Sequence, residues 1–366
     1  MIMKKLLLTM LLAIIGSASF SQIEELTPEE KFYRDSILHL NEENAAIELS
    51  QTSYNEGIEL FKQKKYQGAI NKFAVAITND PKFTPAYYNK AVAENSMNKY
   101  KAAIKTLDAL LAIKPKYAKA FFQRAKAYQG LEDFLSAEKD YAKAIELDPR
   151  NDKAYYNFGT LKFMQKDYFA AIEQFTKVIM LKPDNAYAFN DRGSCYRMLE
   201  KYVEAIKDYE EAARKNENLA FVLNNLGTTK TRIKDYKNAL AAFNRALSID
   251  ADFYLAYNNR GVTHVKMNRI DDAISDFTKA IAINSSYAPA YSNRAGAYFK
   301  KGEYEKAKKD ADKAIELNPK LADAYVNRGM AKEMLRDLDG ACKDWHKARD
   351  LGSELAKQYH SGNCAN

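Results

Sequence analysis

From residue 50 onward, small, aromatic and aliphatic residues recur in a single frame of fixed length. Tyr-x-x-Ala or a close variant stands at Tyr66/Ala69, Tyr100/Ala103, Phe134/Ala137, Tyr168/Ala171, Tyr202/Ala205, Tyr236/Ala239, Ile270/Ala273, Tyr304/Ala307 and Leu338/Ala341. Ala69 to Ala341 is 272 residues, eight steps of 34, so nine frames follow one another without insertion. They begin at Ser50, Thr84, Ala118, Asp152, Ala186, Ala220, Tyr254, Ala288 and Ala322. Position 4 of a frame is usually aromatic (Tyr87, Phe121, Tyr257) and position 8 is small (Gly57, Ala91, Gly159). Positions 20, 24 and 27 run alanine, bulky, then small or aliphatic, as in Ala171, Phe175 and Val178.

Spacings of three and four place these residues on one face of each of two helices. The small residue at position 8 lets the second helix approach the first. Proline at position 32 in five frames (Pro81, Pro115, Pro149, Pro183, Pro319) stops the second helix. Pro85 and Pro289 fall where a first helix begins, a position that tolerates proline. A fixed period of this length predicts a stacked repeat array.

On these residues the chain resembles the tetratricopeptide repeat (TPR) family over residues 50–360. The resemblance implies an all-α, right-handed superhelical solenoid of about nine stacked helix-turn-helix units with a C-terminal capping helix. The departures are Ser53 and Leu223 at position 4, and Glu217, Ala251, Ser285 and Ser353 where proline is usual. They suggest softer turns between repeats. The expected division is a leader over 1–21, a helical cap or linker over 22–49, nine repeats over 50–353, and a capping helix and tail over 354–366.

The ends of the chain add an expectation of export. Lys4 and Lys5, the apolar run Leu6–Ile15 and the small-x-small site Ser19-Phe20-Ser21 read as a secretory signal, with Gln22 the mature start. The apolar run is too short to span a bilayer, so the mature chain is expected to carry no integral membrane segment and to be periplasmic or secreted. Without Lys4 and Lys5 the chain has 54 basic and 48 acidic residues, a net charge of 54 − 48 = +6. That balance, evenly interspersed, does not point to nucleic acid. Thr27-Pro28-Glu29-Glu30 reads as a helix start, with Phe32, Ile37 and Leu38 placed to cover the open face of the first repeat.

Three cysteines follow. Cys195 reads as a buried free thiol inside a helix. Cys342 and Cys364 lie at the start and finish of two antiparallel terminal helices, which favours a disulfide in an oxidising compartment. Cys342/His346 and His360/Cys364 also have i,i+4 spacing, so a Cys₂His₂ zinc site and two free thiols stay open as alternatives.

Arginine at position 7 (Arg124, Arg192, Arg260, Arg294, Arg328) resembles a basic ladder. The same five frames, and no others, carry aspartate at position 23: Asp140, Asp208, Asp276, Asp310 and Asp344. This pairing predicts a salt bridge joining the two helices of a unit.

In the family, positions 2, 5, 6, 9, 12 and 13 of the first helix face the concave surface. Position 6 reads Asn55, Asn89, Gln123, Asn157, Asp191, Asn225, Asn259, Asn293 and Asn327. A line of carboxamides donates and accepts, so it can hold the backbone of an extended peptide; it can equally be a solvated polar face. It is similar to the asparagine ladder of O-GlcNAc transferase. Tyr54, Tyr88, Phe122 and Tyr156 at position 5 add candidate aromatic anchors, alternatively packed into neighbouring repeats. With no lysine at position 5 and no asparagine at position 9, the chaperone-type carboxylate clamp of the family is not matched.

The four histidines are scattered, and no nucleophile elbow, phosphate-cradling loop or metalloprotease helix occurs. The chain is therefore expected to be a non-enzymatic adaptor without cofactor or metal, binding a protein or peptide segment in its groove. The alternative is a cell-envelope assembly element that acts through self-association as a homo-oligomer.

Overall fold

The computed structural model describes residues 27–356 and Cys364. The leader assigned to Met1–Ser21 lies outside them, as does His360. Among the described residues there are eighteen helices and no strand. The first helices of the nine repeats are α1 (Pro28–Lys62), α3 (Thr84–Ser96), α5 (Ala118–Gly130), α7 (Asp152–Met164), α9 (Ala186–Met198), α11 (Ala220–Arg232), α13 (Tyr254–Lys266), α15 (Ala288–Lys301) and α17 (Ala322–Met334). The second helices are α2 (Tyr66–Asn79), α4 (Tyr100–Ile113), α6 (Phe134–Leu147), α8 (Tyr168–Leu181), α10 (Tyr202–Lys215), α12 (Tyr236–Ile249), α14 (Ile270–Ile283), α16 (Tyr304–Leu317) and α18 (Leu338–Asp350). They form two compact units, Met1–Pro149 with α1–α6 and Arg150–Asn366 with α7–α18. No described helix is long and apolar enough to cross a membrane.

The largest fully buried side chains include Phe73, Tyr141, Phe175, Tyr209, Phe243, Phe277 and Trp345, all at position 24 of their frames. Six of the seven reach across to a glycine at position 8 of the first helix, whereas the frame of Tyr141 carries Ala125 there. A Cβ added to Gly261 would lie 2.7 Å from Phe277, and one on Gly329 only 2.5 Å from Trp345. Glycine at position 8 is thus the space that the ring occupies. Where position 24 is Leu107, position 8 is Ala91, and both are fully buried. The alanines at position 20 are fully buried in all nine frames, which closes the helix pair.

The turn between first and second helices is made by a left-handed residue at position 15 in every frame. Gly302 holds it with φ 83°, but the other eight are Lys64, Asn98, Glu132, Lys166, Glu200, Lys234, Asn268 and Arg336. Such a conformation costs a non-glycine residue about 1–2 kcal/mol, offset here by the packing on either side.

In three of the four frames without proline the second helix stops at the same place as in frames that have it. α10, α12 and α14 end at the same frame position as α2, α4, α6, α8 and α16. Asn216, Asp250 and Asn284, just after the last helical residue, each accept from the backbone N–H two residues on, at 3.0, 3.0 and 3.1 Å. This side-chain turn competes with the next helical turn and stops the helix without proline.

At the N-terminus the expected helix start is closed by a capping box of Thr27 and Glu30. The helix it starts does not fold back as a separate cap: residues 28–62 are one continuous helix, because no glycine or proline interrupts it between Pro28 and Gly57. Phe32 is 68% exposed and Leu38 49%, so they do not cover the first repeat; Ile37 is half-buried. At the other end Ser353 caps a helical turn that starts at Glu354 and buries Ala356 against Tyr325, Val326 and Ala348. Cys342 and Cys364 are joined as a disulfide, Cα to Cα 5.7 Å. Their sulfurs are thereby removed from metal ligation, and no cluster of metal-ligating residues exists among the described residues.

Within each unit, successive first helices touch (α3 with α5; α11 with α13, α13 with α15, α15 with α17). Second helices of successive repeats make at most marginal contact among the described residues. Each unit therefore carries its first helices on the inner side of its curve.

Candidate interaction face

The position-6 row sits on these inner helices, and most of its members have a structural duty. Asn225, Asn259 and Asn293 donate through Nδ2 to Oδ1 of Asn190, Asn224 and Asn258, the position-5 residues of the preceding repeats, at 3.0, 3.0 and 2.9 Å. Asn327 donates to Ser292 O at 2.8 Å, and Asn89 to Tyr54 Oη at 2.7 Å. Gln123 reaches Tyr88 Oη at 3.5 Å, the limit of such a bond. At Asp191 the direction reverses, and the Tyr156 hydroxyl donates to the carboxylate. Burial pushes the Asp191 carboxyl above its ordinary range, and the bonds from Tyr156 and Asn190 oppose that rise.

Two members stand outside this pattern. Asn157 donates to Lys153 O of its own helix at 2.8 Å, and Asn55 accepts from Gln51 at 3.1 Å. A carboxamide has two N–H donors and a carbonyl oxygen. Asn225, Asn259 and Asn293 each spend one N–H on the preceding repeat, whereas Asn327 donates to both Ser292 O and Ser292 Oγ, and Asn259 Oδ1 also accepts from Asn258.

The position-5 rings are half-buried, not free-standing. Tyr54 packs edge-on to Phe83 at 5.1 Å, Tyr88 to Tyr117 at 5.9 Å and Tyr156 to Phe175 at 5.6 Å. Phe122 lies 6.1 Å from Tyr141, with Lys126 over its face at 5.9 Å. The tyrosines of the early frames and the asparagines of the later ones do the same job, each presenting a polar atom to the next repeat. The sequence held a signal for this: the paired residues are always 35 apart, one position off the frame, so a column-by-column reading passes over them.

The arginine row is structural. Arg260 donates through Nε and Nη2 to both oxygens of Asp276, at 2.9 and 2.6 Å, and the other four pairs have the same two-pronged geometry. Its Nη1 reaches back to Asn244 at 2.7 Å. Arg124, Arg192, Arg294 and Arg328 likewise reach Asp108, Thr176, Thr278 and Asp312, always at position 25 of the preceding repeat. One guanidinium thus ties three helices, and the expected bridge within a unit extends to its neighbour. Hydrogen bonding to Asp276 raises the Arg260 pKa above its ordinary value, so the guanidinium stays charged.

His264 borders this staple. It is buried, its Nε2 lies 3.7 Å from Asp276, and its Nδ1 has no hydrogen-bond partner. Burial lowers its pKa; Asp276 and Asp272 oppose the shift, and Arg269 and Arg260 add to it. A histidine with a depressed folded pKa stabilises the fold above its unfolded value, about 6.5, and that stability is lost as pH falls below it. The wild-type chain is therefore expected to lose more Tm between pH 7.5 and 5.5 than His264→Asn. Equal losses in a thermal melt at both pH values would refute this. Cys195 is a buried free thiol whose pKa burial pushes up to about 12, leaving it unreactive.

Among curated proteins, none matches this chain. Among solved structures, a tetratricopeptide repeat protein from Parabacteroides merdae aligns with a TM-score of 0.57 and 21% identity, covering 67% of this chain and 97% of that one. The widely conserved type IV pilus biogenesis factor PilW aligns with a TM-score of 0.52 and 20% identity, over 57% of this chain and 97% of its own. The APC/C hetero-tetramer Cut9–Hcn1 gives 0.51 and 16%, over 77% of this chain and 54% of that one. At these identities the likeness concerns the fold. Family models described as tetratricopeptide repeat match residues 60–125, 118–151, 141–173, 184–252, 254–287 and 288–321, together well over half of the sequence. With the frame, the helix pairs and these matches in agreement, the chain belongs to the tetratricopeptide repeat family.

Proposed function

We propose that the protein is a non-enzymatic adaptor, exported to the periplasm or beyond, that holds an extended segment of a partner protein along the inner side of its first helices. The observation that carries this reading is the row of inner carboxamides, fixed by their bolts to the preceding repeat. Donors and acceptors already held in place lose little freedom on binding, and they suit a peptide backbone whatever its side chains. Tyr54, Tyr88 and Tyr156 are poor test positions, because each also joins two repeats. Asn157→Ala and Val262→Glu alter the inner side without removing such a bolt. Immobilised chain should retain a partner from extract of its own cells, cross-linked to α7–α17, and the double variant should lose it at unchanged helicity. Identical retention by both would refute the reading.

A second reading, self-association, is favoured by one observation. The first part of α1 leaves Phe32, Leu40, Ile47 and Leu49 about half or more exposed. A sedimentation experiment that gives a concentration-independent monomer would dispose of it.

A further inference from the structure

Gly296 stands at position 9 of α15, where the other frames carry Ile58, Val92, Lys126, Thr160, Ser194, Thr228, Val262 and Met330. Glycine is the poorest non-proline helix former, so its presence inside a helix calls for a cause. Neither usual cause applies. Gly296 is not among the residues with positive φ. A Cβ added to it would meet only the Asn327 side chain, at 3.4–3.7 Å, an ordinary contact. This separates it from the position-8 glycines, where an added Cβ would enter a ring.

What glycine provides is a hollow. A cavity of about 370 Å³ opens there between α13, α15 and α17, and its apolar walls are Val262, Val265, Phe299, Val326 and Met330, with Leu355 beside them. Asn293 and Asn327 also line it. Asn293 spends one N–H on Asn258 of the preceding repeat, and Asn327 donates to both Ser292 O and Ser292 Oγ, which leaves one N–H of Asn293 and the two side-chain carbonyl oxygens for a guest. Phe277 and Ala297 also face it, and Lys300 and Asp323 complete the lining, one of each charge, so the site has no net preference for an ionic guest.

We infer that this hollow is the specificity pocket of the inner face, taking one large aliphatic side chain, leucine- or methionine-like, from an extended partner segment. The inference rests on the adaptor reading above. An apolar pocket with a few convergent polar groups is the usual form of a binding subsite. The two carboxamides identify the occupant: an extended strand has unsatisfied backbone N–H and C=O groups to offer them. A docked helix has already used its own, and a lipid chain has none. The aliphatic walls select the side chain, while the carboxamides read the backbone beside it.

The test uses the full chain. Phage-displayed random dodecapeptides are selected against it, and an enriched peptide is titrated by fluorescence anisotropy. The selected sequences should share an aliphatic residue at one position, and its replacement by alanine should weaken binding about tenfold or more. Gly296→Val should weaken the parent peptide by a similar factor and erase the difference between the two peptides. Gly296→Ala should keep or raise Tm, because alanine favours the helix and finds room. If the valine variant does not fold, Gly296→Ala and Val262→Ser carry the same comparison, each expected to reduce the preference for the aliphatic peptide. Selected peptides without a shared aliphatic residue, or bound equally by Gly296→Val, would overturn the pocket and leave the adaptor reading standing. A lower Tm for Gly296→Ala would assign the glycine to packing and likewise overturn it. Failure to enrich any peptide would remove both.

Discussion

Arg260→Ala is expected to destabilise the chain by about 2–4 kcal/mol, and a chain already carrying Asp276→Ala by about 1 kcal/mol or less. Asp276 is 5% exposed, and removal of the guanidinium leaves its carboxylate buried without that partner, with His264 Nε2 3.7 Å away. The alanine also leaves Asn244 without its donor, a loss that the second background does not share in full. The estimate is set below that for a fully buried pair, because the Arg260 side chain is 22% exposed and keeps some solvation. A long repeat array need not unfold as one unit, so the comparison belongs at local resolution. Hydrogen exchange of α11–α14 in the four chains of the cycle gives it directly. Additive losses would show that Arg260 and Asp276 act independently.

Gly261→Ala is expected to cost about 1–3 kcal/mol, the range of an overpacked core. The new Cβ would sit 2.7 Å from Phe277 Cε1, and the fully buried ring would have to shift. Phe277→Leu alone should also destabilise, by leaving a void of a few methylenes. The informative chain carries both changes, because it recreates the Ala91–Leu107 pair that the second repeat already uses. It should be more stable than the sum of the single changes predicts, by about 1 kcal/mol or more. Chemical denaturation of the four chains measures that surplus. A sum of the two single losses would mean that positions 8 and 24 do not read each other.

Much of this fold was legible because packing repeats itself. A residue that must be small, such as Gly261, or one that must pair, such as Arg260 with Asp276, recurs at a fixed offset, and nine copies reveal the constraint. The turns were less legible for a physical reason. The left-handed residue at position 15 is glycine only at Gly302; Lys64, Glu132 and Arg336 take the same conformation under tertiary packing, which a propensity argument cannot see. Asn216, Asp250 and Asn284 stop helices where proline is missing, a signal as local as proline but less conspicuous. Folding residues 28–49 back over the first repeat required a breaker that the chain lacks. At the inner face the right residues were in view, but their neighbours were not. Asn225 and Asn190 belong to different frame positions, so the bolt that joins them emerges only with the helices stacked.

The back-reaching Nη1 bond makes the order of repeats matter for how such a gene can shrink or grow. Unequal crossing-over removes whole frames, and the helix pairs alone would tolerate the loss of any one. Excision of Tyr254–Tyr287 would set Arg294 against Asn244, and its third bond would find an acceptor again. Excision of Thr84–Tyr117 would set Arg124 against Ala74, leaving a donor facing a methyl group. The nine modules are therefore not equivalent beads: their heredity includes an adjacency rule, carried by one side chain and read by the module before it.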